Sequence, residues 1–351
     1  MGPTSLREVP VMQHSQPQSA VSIPDHEAWI DTVRAVACLM VILLHAAAFY
    51  VINEDVGSTD WAWANAIDSA TRVCVPLFFM VTGYLFLGGR QPKARHILRV
   101  VSSIAVYSGL ALALIWAGTG QFPLAKIAAL PFQPAYYHLW YLYALIGIYL
   151  LGSIITVRPT ASLSMLAALC LLMFVINDSG LAPQGSDIAL DGASIIYLLF
   201  AMSGSVLGQL LSNLDPMQKQ WGRRGALVTF WLCVILITVM THQASAAAGR
   251  FISTYYSYTH PLVIAAALSC FTWLRLASPG RVLRPLLRRV AEHSLAIYGV
   301  HALALDGLRG LSALADLPAG IEILWSFLIV TLVSYLVARG LRACDPRKLF
   351  T

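Results

Sequence analysis

The sequence predicts an all-α integral membrane protein with about ten transmembrane helices and both termini in the cytoplasm. The first observation is the composition: 58% of the 351 residues are hydrophobic and only 11% are charged, whereas a soluble domain carries about 25% charged residues. The second is that the apolar residues are grouped in blocks of roughly 20, the length that a helix needs to cross a bilayer. The third is the uneven distribution of the basic residues between the loops.

The apolar blocks define the domain organisation. Residues 1–28 are polar and contain several prolines, without the apolar core of a signal peptide, so we expect a disordered cytoplasmic tail. A ten-span domain is expected over residues 29–340, and a cytoplasmic C-terminal tail over residues 341–351. The expected spans lie at about residues 30–52, 67–88, 97–118, 138–156, 162–177, 194–211, 225–241, 259–276, 291–309 and 320–339.

The basic residues predict the orientation. With a cytoplasmic N-terminus, 18 Lys and Arg residues fall on the inner side and only three on the outer side, Lys126, Arg250 and Arg309. Inner loops retain positive charge, so this bias places both termini inside. Topology therefore accounts for the net charge of +6, and no nucleic-acid partner is expected. The basic segment with Arg288 and Arg289 has two open interpretations: contact with anionic lipid, or docking of a phosphorylated cytoplasmic cofactor.

The six cysteines do not indicate a metal or redox site. Five of them lie inside apolar blocks and the sixth is Cys344 near the C-terminus. None falls in the paired spacing of a metal or redox motif, so they are expected to pack as small apolar residues. Neither a disulfide nor a bound metal is predicted.

The first span carries two ionisable residues. Arg34 and His45 are 11 residues apart, so they lie on one face of a helix and about 16 Å apart along its axis. Ionisable groups in a span are costly and usually face a bundle interior or a polar cavity. A histidine in that setting can act as a general base towards a hydroxyl group, and the arginine can bind a distant part of the same elongated ligand.

Other spans add polar and aromatic candidates. In the second span, Asp68 and Arg72 form an i,i+4 pair, Pro76 is expected to kink the helix, and Thr82-Gly83 offers a small surface to another helix or to a ligand. Aromatic residues mixed with histidine occur before the fourth and eighth spans, which suits either a sugar or the membrane interface. They include His138, Trp140, Tyr141, Tyr258 and His260.

The ninth span contains a second intramembrane histidine. Ser294, Tyr298 and His301 share one face of the predicted helix, because they are spaced by four and three residues. Counting from the inner edge of the span places His301 at mid-membrane, about 15 Å deep, and His45 deeper, in the outer half.

Four segments in this order resemble acyltransferase family 3, a family of integral-membrane O-acyltransferases. They are Arg34 with His45, Phe78-Phe79-Met80-Val81-Thr82-Gly83-Tyr84, His138-Leu139-Trp140-Tyr141-Leu142, and Ser294-Leu295-Ala296-Ile297-Tyr298-Gly299-Val300-His301. The resemblance covers the whole ten-span region and is closest to stand-alone bacterial sugar O-acetyltransferases. Thr82 replaces the serine usual in the second motif and keeps its hydroxyl.

The resemblance implies a function. It implies acetyl-CoA as a cytoplasmic acyl donor, without a metal, and a hydroxyl of a cell-envelope or exported polysaccharide, or of its lipid-linked precursor, as acceptor. It also implies that Arg34 and His45 are essential. The protein would then be a multi-pass protein of the bacterial inner membrane, with acyl-CoA, the glycan and the lipid bilayer as partners; a homo-oligomer stays open.

The residues support a mechanism of that kind. We expect His45 to deprotonate the acceptor hydroxyl or, as a second route, to carry the acyl group itself. Arg34 and the basic inner loops would hold the donor. A hydrogen-bond donor near the thioester carbonyl, from Arg72, Tyr298 or Thr82, would stabilise the oxyanion. The predicted donor-binding residues are Arg34, Arg72, Thr82, Tyr84, Tyr298, His301, Arg288 and Arg289, and the predicted acceptor-binding residues are His138, Trp140, Tyr141, Tyr258 and His260.

Two other classes of protein stay open. A transporter or flippase also places Arg and His inside a bundle, but it is expected to show discontinuous helices or inverted repeats, and the sequence indicates neither. An acyltransferase with another acyl-CoA, acting on a lipid, a peptide or a small molecule, would share all the motifs.

Overall fold

The computed structural model describes residues 24–88, 90–157, 162–178, 192–277, 279–311 and 317–351. Most of the expected N-terminal tail therefore lies outside the described residues. Within them the chain is helical, without a β-strand. The α-helices are α1 (Pro24–Asn53), α2 (Thr59–Thr71), α3 (Cys74–Phe86), α4 (Ala94–Thr119), α5 (Leu124–Ala129), α6 (Trp140–Gly152), α7 (Leu163–Asp178), α8 (Gly192–Ser212), α9 (Pro216–Ala248), α10 (Pro261–Leu276), α11 (Leu283–Gly310) and α12 (Ala319–Cys344).

Every expected span coincides with a helix, so the all-α membrane class is confirmed. In the described part of the chain, seven helical segments are long and apolar enough to cross a membrane. The remaining three expected spans correspond to α6 and α7, which are shorter, and to α11, whose first turns are basic. The count of ten and the cytoplasmic placement of both termini stay predictions.

The second span is two helices rather than one. Helix α2 ends at Thr71, Arg72 and Val73 form a turn, and α3 begins at Cys74. Pro76 lacks the N–H that would bond to the carbonyl of residue 72, which accounts for the break at this point. Arg72 and Val73 keep right-handed helical backbone angles, so the span is interrupted for two residues near Pro76, where a kink is predicted.

The Thr82-Gly83 surface is covered by another helix. Helix α3 packs tightly against α8, and a Cβ atom added to Gly83 would overlap the main-chain oxygen of Ala201. Gly204 makes the reciprocal approach to the backbone at Met80. Small residues at both positions let the two backbones touch, the usual way in which helices associate in a membrane.

Contacts between helix ends define two ends of the bundle. At the basic end, the start of α1 meets the ends of α3, α8 and α10, because Arg275 lies over the Trp29 ring and hydrogen-bonds to Ser212. At the opposite end, Trp61 donates to the main-chain oxygen of Val51, and the N-terminus of α12 contacts Asp60. Between these ends α1 and α11 run in parallel, and this pair positions the candidate site.

Candidate active site

Helices α1 and α11 bring Arg34 and His45 into one polar region. Near the basic end, Arg34 Nη2 donates to Ser294 Oγ at 3.0 Å. Towards the opposite end, the ring of His45 lies 5.3 Å from the ring of His301, measured between centroids. Both residues therefore face α11, and the continuous helix α1 separates them by about 16 Å.

Three histidines lie side by side at the His45 level. The His301 ring is 5.3 Å from His45 on one side and 4.9 Å from His138 on the other. His301 is 0% exposed and His138 is 1% exposed, whereas His45 is partly accessible. His138 belongs to a single 3₁₀ turn, Tyr137–Leu139, just before α6. The cluster therefore joins three segments that are far apart in sequence.

Backbone carbonyls fix the tautomers of the two buried histidines. Nδ1 of His301 lies 2.7 Å from the oxygen of Tyr298, and Nε2 of His138 lies 3.2 Å from the oxygen of Gly299. A carbonyl oxygen can only accept, so in each neutral ring that nitrogen carries the hydrogen. Nε2 of His301 and Nδ1 of His138 are then acceptors, and both are buried without a hydrogen-bond partner among the described residues. These two nitrogens can therefore accept hydrogen bonds from a hydroxyl group or from another donor of a ligand.

The position of His301 corrects the expected depth. It does not lie below His45 but beside it, and the cluster also contains His138. Arg34 and Ser294 meet near the basic end, and from there α1 reaches the cluster over residues 34–45 but α11 over residues 294–301 only, so equal counts of residues do not give equal levels on the two helices. The alternative that His138 is a solvated interfacial residue is also wrong, since its side chain is buried.

Arg72 is a further charged group near His45. Its Nε atom pairs with Asp68, which is 0% exposed, and its guanidinium carbon lies 4.3 Å from the centre of the Tyr256 ring. The two terminal nitrogens of Arg72 have no hydrogen-bond partner within the described part of the chain. Arg72 is close enough to His45 for an electrostatic interaction. It therefore presents free N–H groups near the histidine cluster.

Two other predicted hydrogen-bond donors are already engaged. The hydroxyl of Thr82 donates to the oxygen of Phe78 at 2.9 Å, within its own helix. The hydroxyl of Tyr298 donates to the oxygen of His138 and so holds the turn that carries this histidine. Of the three groups expected to stabilise an oxyanion, Arg72 alone keeps uncommitted N–H groups among the described contacts.

Sequence reasoning missed two residues beside His45. The ring of Tyr137 lies 5.2 Å from the His45 ring, and Nη2 of Arg309 donates to the main-chain oxygen of His45 at 3.0 Å. Arg309 is also 3.5 Å from Asp306, which accepts a hydrogen bond from Tyr136. Arg309 was assigned to an outer loop, although its i,i+3 spacing from Asp306 is a helical signal.

The remaining aromatic candidates divide into two groups. Tyr141 packs 5.4 Å from Tyr298, and Tyr258 is close enough to Arg72 to interact with it electrostatically, so both border the site. Trp140 contacts Tyr197 at a centroid distance of 5.1 Å. His260, in contrast, caps α10 through its Nδ1, and Tyr84 packs edge-on against Trp29 at the basic end. The structure does not bring these last two to His45.

Arg288 and Arg289 are exposed on the first turns of α11. Arg288 forms an ion pair with Glu292 at 2.9 Å. Together with Arg284 and Asp31 it lines a cavity of about 350 Å³ at the basic end. Neither arginine contacts Arg34 among the described residues, so any joint role in donor binding requires a ligand long enough to span both places.

No group of three or more His, Cys, Asp and Glu side chains is arranged to hold a metal ion in the described part of the chain. The histidine cluster includes three such residues, but their arrangement is a row of rings rather than a set of converging ligands.

Apolar helices that enclose buried histidines and arginines define a multi-pass membrane protein with a polar site inside the bundle. The family model described as an acyltransferase domain, that of acyltransferase family 3, matches residues 27–339. The chain therefore belongs to this family and is a membrane acyltransferase. No curated protein and no solved structure matches it.

Proposed function

We propose that the protein transfers an acetyl group from cytoplasmic acetyl-CoA to a hydroxyl of a cell-envelope or exported polysaccharide, or of its lipid-linked precursor, in the bacterial inner membrane. The observation that carries the proposal is the proximity of His45 both to Arg72 and to the His301–His138 pair. Membership in an acyltransferase family supports the reaction class.

In the proposed step His45 acts as a general base. Its neutral imidazole takes the proton of the acceptor hydroxyl while the oxygen attacks the carbonyl carbon of the thioester. The tetrahedral intermediate then breaks its C–S bond, and the CoA thiolate recovers the proton from His45. His301 lies beside His45, so its buried acceptor nitrogen can orient a hydroxyl group or a water molecule at this place.

Arg72 is the proposed oxyanion donor. Its terminal N–H groups have no other partner among the described residues, and Asp68 and the Tyr256 ring hold the guanidinium in place. Hydrogen bonds that are set in advance at a developing negative charge contribute strongly to catalysis in a site that excludes water. The break between α2 and α3 places Arg72 in the turn, which frees the side chain from a regular helical position.

Arg34 is proposed to bind the donor closer to the cytoplasm. The distance of about 16 Å between Arg34 and His45 is comparable to the length of an extended pantetheine arm. The thioester would then lie at His45 while the nucleotide stays near the basic end, where Arg288 and Arg289 are exposed. The acceptor would approach from the opposite end and reach His45 beside Tyr137.

The first alternative is transfer of another acyl group, or transfer to a lipid, a peptide or a small molecule. Activity of the purified protein with a series of acyl-CoA donors shows which acyl group it transfers. Mass spectrometry of the envelope glycans from a strain without this protein shows whether a glycan is the acceptor. Loss of O-acetyl groups from one glycan supports the proposal. An unchanged acetylation pattern together with an altered lipid or peptide favours the alternative.

A transporter is favoured by one observation, the discontinuous second span. Release of free thiol from acetyl-CoA by the purified protein, in the presence of acceptor, distinguishes it from an acyltransferase. Acceptor-dependent release supports the proposal, and uptake of substrate into vesicles without thiol release contradicts it.

A further inference from the structure

The segment Asp345–Thr351, which follows α12, folds back into the bundle. The Asp345 carboxylate accepts hydrogen bonds from the backbone N–H groups of Leu349, Phe350 and Thr351 at 2.8, 2.8 and 3.0 Å. It also accepts from the Thr351 hydroxyl at 2.8 Å. Burial raises the pKa of Asp345, but these hydrogen bonds outweigh it and lower the pKa overall, so the carboxylate is ionised at neutral pH. The segment is a closed loop.

Side chains of α4 and α12 hold this loop. The hydroxyl of Tyr107 donates to the main-chain oxygen of Phe350 at 2.7 Å, and Arg99 donates to the main-chain oxygen of Thr351. Arg342 donates to the Thr351 hydroxyl at 3.3 Å. Asp345 and Thr351 are buried, at 3% and 2% exposure, whereas residues 346–349 between them are exposed, so the end of the loop is inserted between the helices and its middle faces outward.

The inserted loop lies along the route from Arg34 to the histidine cluster. Arg99 is close enough to Arg34 for their charges to repel. Farther along α4, Tyr107 packs so closely on Gly299 that an added Cβ would overlap its ring, and the oxygen of Gly299 is the partner of His138. The end of the loop therefore contacts one residue close to Arg34 and another beside the partner of His138, the two places where donor binding and catalysis are proposed.

Arg99 has unused binding capacity. Its Nε atom is buried and has no hydrogen-bond partner among the described residues, and no ion pair joins it to a side-chain carboxylate of the described residues. Arg34 and Arg342 add positive charge nearby. A guanidinium with a spare buried donor and positive neighbours suits a ligand that carries negative charge and carbonyl oxygens.

We infer that Arg99 and Tyr107 are further donor-binding residues, and that the 345–351 segment occupies their site until acyl-CoA replaces it. The segment presents two main-chain oxygens to Tyr107 and Arg99. A pantetheine arm is likewise an extended chain with amide carbonyls, and it leads to phosphate groups, so the same donors can bind it. The inference rests on the proposed function, since it requires a CoA thioester to enter from the basic end.

The first test measures the accessibility of the segment. Phe350→Cys is introduced with Cys344→Ser and Cys170→Ser, and labelling by a maleimide is timed with and without desulfo-CoA, which has the full arm but no thiol. Displacement of the segment predicts faster labelling of position 350 when desulfo-CoA is bound. The matched control is a second protein, with Cys170→Ser alone, which keeps Phe350 and the natural Cys344; Cys344 is exposed and precedes the segment, so its labelling rate should not change.

The second test measures the affinity for desulfo-CoA by calorimetry in the full chain. Asp345→Ala removes the acceptor that closes the loop, so the open fraction rises and the dissociation constant falls, by up to about tenfold. Arg347→Ala, at an exposed residue of the same segment, is the control and leaves the dissociation constant unchanged.

A further variant tests Arg99 itself. Adding Arg99→Gln to Asp345→Ala removes charge-assisted hydrogen bonds and weakens the binding of desulfo-CoA by about tenfold or more. Arg95→Gln, on the exposed side of α4, is the control and does not weaken it.

The outcomes separate the two proposals. If wild-type protein binds desulfo-CoA but position 350 labels at the same rate with and without it, the segment is structural and the inference is wrong. The same conclusion follows if Asp345→Ala leaves the affinity unchanged. If wild-type protein does not bind desulfo-CoA at all, it is the proposed donor that is wrong. Should Asp345→Ala fail to fold, the labelling experiment decides by itself.

Discussion

The rings of His45 and His301 lie 5.3 Å apart across the interface of α1 and α11. Parallel packing of these helices places Arg34 beside Ser294 about three turns away, so one helix pair carries both ends of the candidate site. The proposed chemistry depends on this pair, and each of its parts can be tested separately.

Removal of Arg34 should weaken donor binding more than it slows the chemical step. Arg34→Ala removes the positive charge and the N–H donors of the guanidinium group, which predicts a rise in KM for acetyl-CoA of about 10- to 100-fold. Ser294→Ala removes only the partner of Arg34 Nη2 and should change KM by less than about threefold. Initial rates over a range of acetyl-CoA concentrations measure both. An unchanged KM in Arg34→Ala would exclude a role in donor binding.

Arg72 should act mainly on the rate constant. Arg72→Gln removes the proposed oxyanion donor and predicts a fall in kcat of about 100- to 1,000-fold, with little change in KM for acetyl-CoA. Steady-state kinetics with saturating acceptor measure this. A variant with normal kcat would show that another group stabilises the oxyanion.

Asp68 should be needed for stability because it balances the Arg72 charge. Asp68 is 0% exposed and its Oδ2 atom has no hydrogen-bond partner among the described residues. Asp68→Asn leaves the guanidinium buried without a counter-charge, which predicts a loss of about 3 kcal/mol or more in the free energy of unfolding. Thermal unfolding in detergent measures it, with Asp55→Asn in the exposed loop between α1 and α2 as the control. An equal melting temperature for the two variants would contradict the argument.

The packing of α3 on α8 predicts a second stability effect. Gly83→Ala forces α3 away from the backbone of Ala201 and should destabilise the protein by about 1–3 kcal/mol or more. Gly109→Ala in α4 meets no atom within 4 Å and should be neutral or stabilising. Melting temperatures of both variants, compared with the wild type, test this. A Gly83→Ala protein with the melting temperature of the wild type would show that α3 and α8 can move apart without a loss in the free energy of unfolding.

The two roles considered for His45 predict different release of thiol from acetyl-CoA when the acceptor is absent. If His45 is a general base, acetyl-CoA alone gives no rapid release of thiol, because the attacking hydroxyl is absent. If His45 carries the acyl group, one equivalent of thiol is released in a burst and the protein gains an acetyl mass. Stopped-flow thiol detection with intact-protein mass spectrometry decides between them. We expect no burst.

Local sequence patterns were enough to predict the helices and the polar residues that face their interior. The spacing of Arg34 and His45, and that of Asp68 and Arg72, follows from helical periodicity within one segment. Pro76 predicted a kink in the second span, and the helix is interrupted for two residues just before it.

Contacts between distant segments could not be predicted in this way. His138 and His301 meet although 163 residues separate them, and only the packing of α6 near α11 decides it. The position of the 345–351 segment could not be predicted from local sequence patterns either. Its sequence has the composition of a solvated tail, and its place between helices depends on Tyr107 and Arg99, about 250 residues earlier in the chain.

The most direct test of the account is acetyl transfer by purified His45→Ala protein in liposomes, with His242→Ala as the matched control, since His242 is exposed and lies against Trp61. Thiol release and acetylated acceptor are both measured, in protein whose melting temperature matches the wild type. The account predicts that His45→Ala loses at least about 100-fold in kcat, while His242→Ala stays within about twofold of the wild type. Full activity of His45→Ala would contradict the assignment of this histidine as the base.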